Sequence, residues 1–77
     1  MDEVLTPRML AQARVIAKGK RIRGVQRLVA EYGGTASRWA KKSSPRFEVA
    51  GEQFELHWYE HPGIGRVEVR RKRVSTR

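Results

Sequence analysis

The longest regular pattern in the chain is an alternation of apolar and polar residues over positions 54–61, Phe-Glu-Leu-His-Trp-Tyr-Glu-His. Successive side chains of a β-strand point to opposite faces, so this spacing predicts a strand from Phe54 to Glu60. One face carries Phe54, Leu56 and Trp58 and is expected to face the core. The opposite, outward face carries the polar set Glu55, His57, Tyr59 and His61.

Shorter strands are predicted on both sides of this segment. Residues 46–49 and about 65–71 each place alternate apolar residues on one side. Turns at 50–53 and 61–64 separate them from the central strand. The pattern therefore predicts an antiparallel meander of three strands, or four, over residues 46–72.

The N-terminal part of the chain has the three-to-four-residue spacing of helices. Thr6 and Pro7 form a helix-start signal, with Thr6 as the N-cap, and Gly33 ends the pattern. Residues 7–33 are therefore predicted to form a helix pair broken near Gly19, or a single helix that bends at a glycine. Their apolar positions at helical spacing are Met9, Leu10, Ala13, Ile16 and Ala17, then Ile22, Val25, Val29 and Tyr32.

A connecting segment, residues 34–45, is predicted to join the helices to the sheet. It contains a short helical turn and ends at Pro45, because the residue before a proline avoids the helical region. Trp39 is expected to fill part of the core rather than to stack on a nucleic-acid base. Lys41 and Lys42 add amino groups of the kind that contact phosphate.

Together these elements predict a single α+β domain over residues 1–77, with the helices packed on the sheet and a basic tail at 73–77. Seventy-seven residues without cysteine allow a small core and no disulfide, and no Cys/His spacing indicates a structural metal. No apolar run approaches the roughly 20 residues of a membrane span. No signal peptide is expected either, because the chain starts Met1-Asp2-Glu3 and its apolar residues alternate with arginine.

The charge of the chain is strongly basic and unevenly placed. Seventeen lysines and arginines against eight acidic residues give a formal net charge of +9. Between Thr6 and Ala30 there are seven basic residues, Arg21 and Arg23 among them, and no acidic residue. A small domain with this imbalance typically binds a polyanion: a nucleic acid, an acidic protein or an anionic membrane. A basic surface that only maintains solubility is the plainer alternative.

The apolar faces of neighbouring strands must coincide, and this condition predicts the strand register. The second hairpin then aligns Trp58 with Val67, and the first aligns Phe47 with Leu56. Opposed side chains lie about 5 Å apart at Cβ, close enough to interact. The predicted outer face therefore presents a row of Arg46, His57 and Glu68, flanked by Tyr59, Arg66 and Arg70.

This row contains the groups that a metal-independent ribonuclease needs. A histidine beside a carboxylate is suited to proton transfer, so His57 is the predicted acid/base and Glu68 its partner or the complementary base. Arginines can hold the scissile phosphate and stabilise its charge in the transition state. No cofactor or metal is expected. The candidate catalytic residues are His57, Glu68, Tyr59, His61 and Arg66, and the candidate RNA-binding residues are Arg46, Lys41, Lys42, Arg70, Arg21 and Arg23.

The residues leave two other functions open. One is an RNA- or DNA-binding module without catalysis, which would use the basic helices and the tail. The other is an interaction domain for an acidic protein. An outer face without any function is a further possibility, because exposed strands commonly carry Glu, Arg, His and Tyr.

Two parts of the chain resemble a known class of toxins. One is residues 28–44, with Tyr-Gly-Gly followed by Trp-Ala-Lys-Lys; the other is residues 57–67, with His-Trp-Tyr-Glu-His and Gly-Ile-Gly-Arg-Val. Both are similar to the C-terminal toxin domains of bacterial polymorphic toxins, which end large contact-dependent and rearrangement-hotspot effectors. The resemblance spans roughly residues 20–70. At 77 residues, the chain is short for such a domain.

The resemblance implies a small ribonuclease of the Barnase–EndoU–colicin–RelE type, with helices packed on an antiparallel sheet. It implies cleavage of tRNA or another RNA in the cytoplasm of a target bacterium, after delivery within a larger secreted effector. A cognate acidic immunity protein would be the partner. His57, Tyr59, His61 and Arg66 lie in the shared motif, whereas Arg46, Glu68 and Arg70 come only from the predicted register.

Overall fold

The computed structural model describes residues 4–74. Within this range a small helical region packs on an antiparallel sheet, which confirms the predicted α+β class. The helices are α1 (Pro7–Ala11) and α2 (Val25–Tyr32), and short 3₁₀ turns lie at Gly19–Arg21 and Ala36–Arg38. The strands are β1 (Arg14–Lys18), β2 (Ala40–Ser43), β3 (Phe47–Val49), β4 (Glu52–His61) and β5 (Gly65–Arg73).

Strand β4 is the centre of the sheet. One of its edges pairs with β5, and the other pairs with β3 near its start and with β2 towards its end. Strand β1 pairs with β2, and all pairs are antiparallel. Between β2 and β3, Ser44 stays attached to β4: its N–H donates to the Leu56 carbonyl at 2.9 Å, and its hydroxyl accepts from the Leu56 N–H at 2.9 Å.

The predicted meander is confirmed as β3, β4 and β5, but the register of its first hairpin is wrong. The turn consists of only Ala50 and Gly51, whose φ angles of 51° and 82° fit a type I′ hairpin. This tighter turn pairs Phe47 with Phe54 rather than with Leu56. As a consequence, Arg46 is not placed opposite His57.

The predicted helical region over residues 7–33 is wrong in its middle. Helices form near its two ends, as α1 and α2, but Arg14–Lys18 is the strand β1. Val15 and Ile16 are β-branched and therefore fit a strand well, and a short apolar run satisfies both the helical and the strand spacing. Pairing with β2 decides between them, and that contact is not visible in the local pattern.

The predicted connecting loop over residues 34–45 contains β2, a strand in the interior of the sheet. Alanine and lysine are disfavoured in strands, so the local sequence of Ala40–Ser43 indicates a loop. Pairing with β1 on one side and β4 on the other holds the segment extended. Trp39, directly before it, has no exposed surface and donates its indole N–H to the Gly33 carbonyl at 3.1 Å, which confirms Trp39 as a core residue.

Helix α2 packs on the face of β4 that the sequence predicts to be outward. Tyr59 and Val67 of the sheet pack against the buried residues of the helical region, and Leu56 and Trp58 are buried on the opposite face. The alternation along β4 is therefore confirmed, but the assignment of its polar face to solvent is wrong where α2 covers it. The buried residues of the helical region are Ile22, Val25, Leu28 and Trp39.

Both ends of the chain lie outside the described residues. Of the predicted tail, Arg73 ends β5 and the N–H of Val74 donates to the Gln53 carbonyl at 2.9 Å, but residues 75–77 are not described. The prediction about a signal peptide rests on residues 1–3, which are also outside the described range. No helix within residues 4–74 has the length and apolar character needed to cross a membrane.

Candidate functional site

The carboxylate of Glu55 is the centre of a cluster on the helix-side face of the sheet. Its side chain is only 9% exposed. Oε1 accepts a hydrogen bond from the Ser43 hydroxyl at 3.1 Å and lies 2.9 Å from Nε2 of His57. Oε2 accepts from Arg14 at 3.2 Å and forms an ion pair with Arg46 at 3.7 Å.

Strand pairing explains why these groups meet. Ser43 of β2 lies opposite His57 of β4, and Arg14 of β1 lies opposite Ser43, so all three share one face. The hydrogen bond from His57 holds the pKa of Glu55 below its usual value, helped by the Ser43 hydroxyl and the charge of Arg14, against the opposing effect of burial. Glu55 is therefore ionised at neutral pH and held by four neighbours.

His57 is oriented by this carboxylate. A hydrogen bond to an ionised acceptor requires a proton on Nε2, so the neutral ring carries its lone pair on Nδ1. Nδ1 is buried and has no hydrogen-bond partner, and no other buried side-chain nitrogen or oxygen within residues 4–74 lacks one. The side chain as a whole is 19% exposed. The contact with Glu55 thus fixes the tautomer of the neutral ring and leaves Nδ1 as its proton-accepting nitrogen.

A basic pocket of about 100 Å³, here called the His57 pocket, opens beside this ring. Arg70 lies opposite His57 and Lys72 opposite Glu55 on β5, while Lys41 enters from β2 with its amino group 5.8 Å from the centre of the Tyr59 ring. Four cationic side chains and a single carboxylate line the pocket, so its lining carries an excess of positive charge. Its lining residues are Arg27, Lys41, His57, Trp58, Tyr59, Glu68, Arg70 and Lys72.

The predicted pairing of His57 with Glu68 is wrong. Strand β5 contains a bulge, where Glu68 has a φ of 54°, and the register shifts between His57 and Tyr59. The turn before β5 is one residue shorter than predicted, because His61 pairs with Gly65, and Tyr59 therefore lies opposite Val67 instead of Arg66. The bulge shifts the register by one further residue, so His57 lies opposite Arg70. A bulge adds one residue to one strand, so a register derived from ideal alternation fails there.

Glu68 instead joins the sheet to helix α2. Its carboxylate accepts two hydrogen bonds from Arg27, at 2.8 and 2.9 Å, and one from the Tyr32 hydroxyl at 2.9 Å. The bonds from Arg27 are the main cause that lowers the pKa of Glu68, and the bond to Glu68 raises the pKa of Tyr32. Arg27 also pairs with Glu31 at 2.5 Å, so its charge is largely neutralised within the protein.

His61 is buried at the far end of the same strand face. Its ring makes an edge contact with Trp39, with centroids 5.3 Å apart. The N–H of Thr35 points to Nε2 at 3.2 Å and that of Gly63 to Nδ1 at 3.1 Å. A neutral imidazole has one lone pair, so it accepts one of these bonds at a time. His61 does not line the His57 pocket. Its contacts instead hold the backbone at Thr35 and Gly63 in place.

Other predicted site residues lie away from the pocket. Arg66 lies opposite Glu60, and Lys42 forms an ion pair with Glu60 at 2.9 Å, both on the sheet face opposite to His57. Arg21 and Arg23 are exposed in the segment before α2 and do not line the pocket. Arg46 lies beside the Glu55 carboxylate. Of the predicted set, the pocket gathers His57, Tyr59, Glu68, Lys41 and Arg70.

Sequence reasoning missed the residue that orients His57. The alternation already places Glu55 two positions from His57 on the same face, so the signal is present in the sequence, but the predicted register pairs His57 with Glu68 instead. Ser43 and Arg14 had no such signal, because both lie on strands that the local pattern did not predict. Arg27 and Lys72 of the pocket were missed for another reason, because their positions depend on helix packing and on the register of β5.

Comparison with known proteins adds no relative of this chain. No protein-family model matches it, and neither a curated protein nor a solved structure does. Among residues 4–74, no three His, Asp or Glu side chains converge as a group of metal ligands. The function therefore has to be inferred from the residues and their contacts.

Proposed function

We propose that the protein is a ribonuclease that cleaves RNA in the His57 pocket without a metal ion. The supporting observation is the contact of 2.9 Å between His57 and the buried Glu55, at the wall of a pocket lined by four cations. A carboxylate that fixes a histidine tautomer is a recurrent device for general acid/base catalysis. Lys41, Arg70 and Lys72 supply the positive charge that a phosphodiester requires.

In this mechanism Nδ1 of His57 takes the proton of the ribose 2′-hydroxyl. The 2′-oxygen then attacks the adjacent phosphorus, and the bond from phosphorus to the 5′-oxygen breaks. Glu55 stabilises the imidazolium that forms, and the cations of the pocket stabilise the extra charge on phosphate. The imidazolium or Lys41 returns a proton to the leaving 5′-oxygen. The products are a 2′,3′-cyclic phosphate and a 5′-hydroxyl.

Access to His57 requires movement of the side chains around it, because Nδ1 is shielded from solvent. Arg70 and Lys72 are exposed and belong to long, flexible side-chain types, so binding of a phosphate can draw them away from the ring. Catalytic contacts commonly tighten only when substrate binds. The shielding of Nδ1 is also the observation that favours a second candidate, a nucleic-acid-binding module that uses the same pocket without cleavage.

The resemblance to polymorphic toxin domains agrees with this activity. We propose that the domain acts on tRNA or another RNA in the cytoplasm of a target bacterium, after delivery as part of a larger secreted effector. Protection of the producing cell would come from an acidic immunity protein. The net charge of +9 supports such a partner, since opposite charge accelerates association and gives specificity.

The test is incubation of the purified protein with tRNA and with total RNA in EDTA. Discrete fragments that end in 2′,3′-cyclic phosphate support the proposal. A matched His57→Gln variant keeps an N–H for Glu55 but lacks the base, and should bind RNA without cutting it. Tight RNA binding by the wild-type protein without any cleavage at micromolar concentration would favour the binding module instead.

A further inference from the structure

A second groove lies outside the His57 pocket, between helix α1 and strand β3, with a volume of about 270 Å³. It is here called the α1 groove. Its apolar wall consists of Met9, Pro45 and Phe47, and Arg8 and Arg46 supply its charge. Thr6 and Gln12 complete the lining, so among the described residues that form this groove none is acidic.

Arg46 connects the two sites. Arg46 is one of the residues that line the α1 groove, and its Nε lies 3.7 Å from the Glu55 carboxylate, which in turn contacts His57. Arg14 contacts the same carboxylate from β1 and is 62% exposed. Arg46 and Arg14, both more than half exposed, therefore place positive charge between the α1 groove and the Glu55–His57 pair.

We propose that the α1 groove binds an unpaired nucleobase of the RNA, one or two nucleotides away from the phosphate held at His57. This inference rests on the proposed function, because the position of the base is given relative to a phosphate bound at His57. The phosphate beside that base lies on Arg8 and Arg46. The substrate is thereby defined as single-stranded RNA, because a base in a duplex cannot enter a groove in the protein.

The chemistry of the groove fits a base better than other occupants. The ring of Phe47 and the face of Pro45 offer a surface for stacking, and the amide of Gln12 offers both a donor and an acceptor for a base edge. The Thr6 hydroxyl already accepts the N–H of Met9 at 3.1 Å and caps α1, so it keeps this wall in shape. The volume lies just below the roughly 300 Å³ at which pockets for drug-sized ligands begin, which suits a single base. Two guanidinium groups make it unsuited to a purely apolar ligand.

The test is a titration followed by amide chemical shifts in the His57→Gln variant, with a 2′-O-methyl tetranucleotide as a probe that cannot be cleaved. A second probe has the same backbone but lacks its bases. Binding of the first probe should shift the amides of Met9, Gln12 and Phe47 together with those of the His57 pocket. The abasic probe should bind at least about tenfold more weakly, since stacking contributes strongly to single-strand affinity. Equal affinity of the two probes would overturn recognition of a base.

A variant pair locates the effect. Arg8→Gln combined with Gln12→Ala should weaken binding of the base-containing probe about fivefold to tenfold and leave the abasic probe less affected. Lys20→Gln removes one exposed charge from the Gly19–Arg21 turn and is the control for net charge. All the substituted residues are exposed, and the amide spectrum of each variant checks that it keeps its fold. If Lys20→Gln weakened binding of the base-containing probe as much as the double variant does, the effect would come from net charge. Base binding in the α1 groove would then be overturned.

The outcomes separate the two proposals. Shifts limited to the His57 pocket, in a protein that cleaves RNA, overturn the α1 groove and leave the ribonuclease in place. Base-dependent shifts in the groove, in a protein that cleaves nothing, support the groove and reject the ribonuclease. Absence of shifts at both sites, together with absence of cleavage, rejects both.

Discussion

His57 and His61 lie on the same face of β4, four residues apart, but in different surroundings. His57 contacts an ionised carboxylate, and its second nitrogen has no partner. Both nitrogens of His61 face backbone N–H groups, and its ring packs on Trp39. In the neutral ring of His57 the lone pair of Nδ1 has no hydrogen-bond partner, whereas the lone pair of His61 accepts a hydrogen bond from the backbone.

The cause of this difference lies in the elements that cover the two ends of the strand. The segment from Gly33 to Trp39 closes over His61, whereas His57 lies beside Ser43 and the basic residues of β5. Alternation along a strand assigns both histidines to one face, but neighbours from other parts of the chain decide what each can do. A pair of histidines in one motif is therefore not evidence for two catalytic groups.

The most direct test of the different roles of His57 and His61 is to substitute each of them by glutamine. His57→Gln should reduce RNA cleavage by about 10²–10⁴-fold, the usual contribution of a general base, with little change in stability because the amide still donates to Glu55. His61→Gln should leave the pocket intact but lower the free energy of unfolding by about 1–3 kcal/mol through lost packing and a lost backbone acceptor. Cleavage assays and thermal unfolding measure both.

The expected thermal shift for His61→Gln follows from the size of the domain. In a domain of this length, each kcal/mol of lost unfolding free energy lowers Tm by about 4–8 °C. Loss of cleavage in folded His61→Gln, equal to that of His57→Gln, would contradict the division of roles. So would a His57→Gln variant that cuts at the wild-type rate.

The second prediction concerns the close contact of Gly34 with His61. A Cβ at Gly34 would lie 2.6 Å from Nε2 of His61, and the backbone φ of +80° is itself unfavourable for alanine. Gly34→Ala should therefore cost about 2–4 kcal/mol of unfolding free energy, from strain and displacement of the ring. Gly24→Ala is the matched control, since its φ of +77° is also in the left-handed region but no atom lies within 4 Å of the added carbon.

Denaturant unfolding compares these two glycine variants. The control should lose only about 1–2 kcal/mol, the cost of a left-handed backbone at a residue other than glycine. Equal losses in the two variants would mean that the ring of His61 can move aside freely. The tight packing assigned to that end of the strand would then be wrong.

The third prediction concerns the pH dependence of stability at the His57 end. The folded pKa of Glu55 is lowered, so its stabilising effect is complete above the unfolded value of about 4.3 and is lost as pH falls through the folded pKa. Glu55→Gln should reduce the free energy of unfolding by about 1–3 kcal/mol at pH 7, because Arg14 and His57 lose a charged partner. The difference from wild type should shrink as pH falls below 4.

The control for this experiment is Glu52→Gln, which removes an exposed carboxylate paired with Arg73. Surface pairs contribute about 0–1 kcal/mol, so this substitution should have a small effect. Urea unfolding between pH 7 and pH 3 measures both variants. A difference for Glu55→Gln that stays constant over this range would show that its charge does not stabilise the fold.

The sequence was informative where a segment determines its own structure. The alternation of β4, the Thr6 cap and the burial of Trp39 all depend on local spacing or on residue type, and each prediction is confirmed. The strands β1 and β2 were missed because each is held by the other, so neither has a signal of its own. Non-local pairing therefore set the limit of the fold prediction.

The site was limited by a different effect. The face of His57 was predictable, but its partner was not, because a turn shorter by one residue and one extra residue at Glu68 together shifted the pairing of His57 by two residues along β5. A bulge leaves little trace in a sequence when the residue with positive φ is not a glycine. The prediction therefore placed His57 on the correct strand but paired it with the wrong glutamate.

The smallest expected effect distinguishes the two faces of the sheet. Arg70→Gln removes a cation from the His57 pocket, opposite His57, whereas Arg66→Gln removes one from the other face, opposite Glu60. Each change lowers the net charge by one, so non-specific attraction falls equally. Arg70→Gln should weaken binding of an uncleavable RNA about threefold to tenfold and reduce the salt dependence of binding by about one phosphate contact, while Arg66→Gln should change both less. The measurement is fluorescence anisotropy over a series of salt concentrations. A larger loss from Arg66 would contradict binding at the His57 pocket and would place the bound RNA on the opposite face of the sheet from the Glu55–His57 pair.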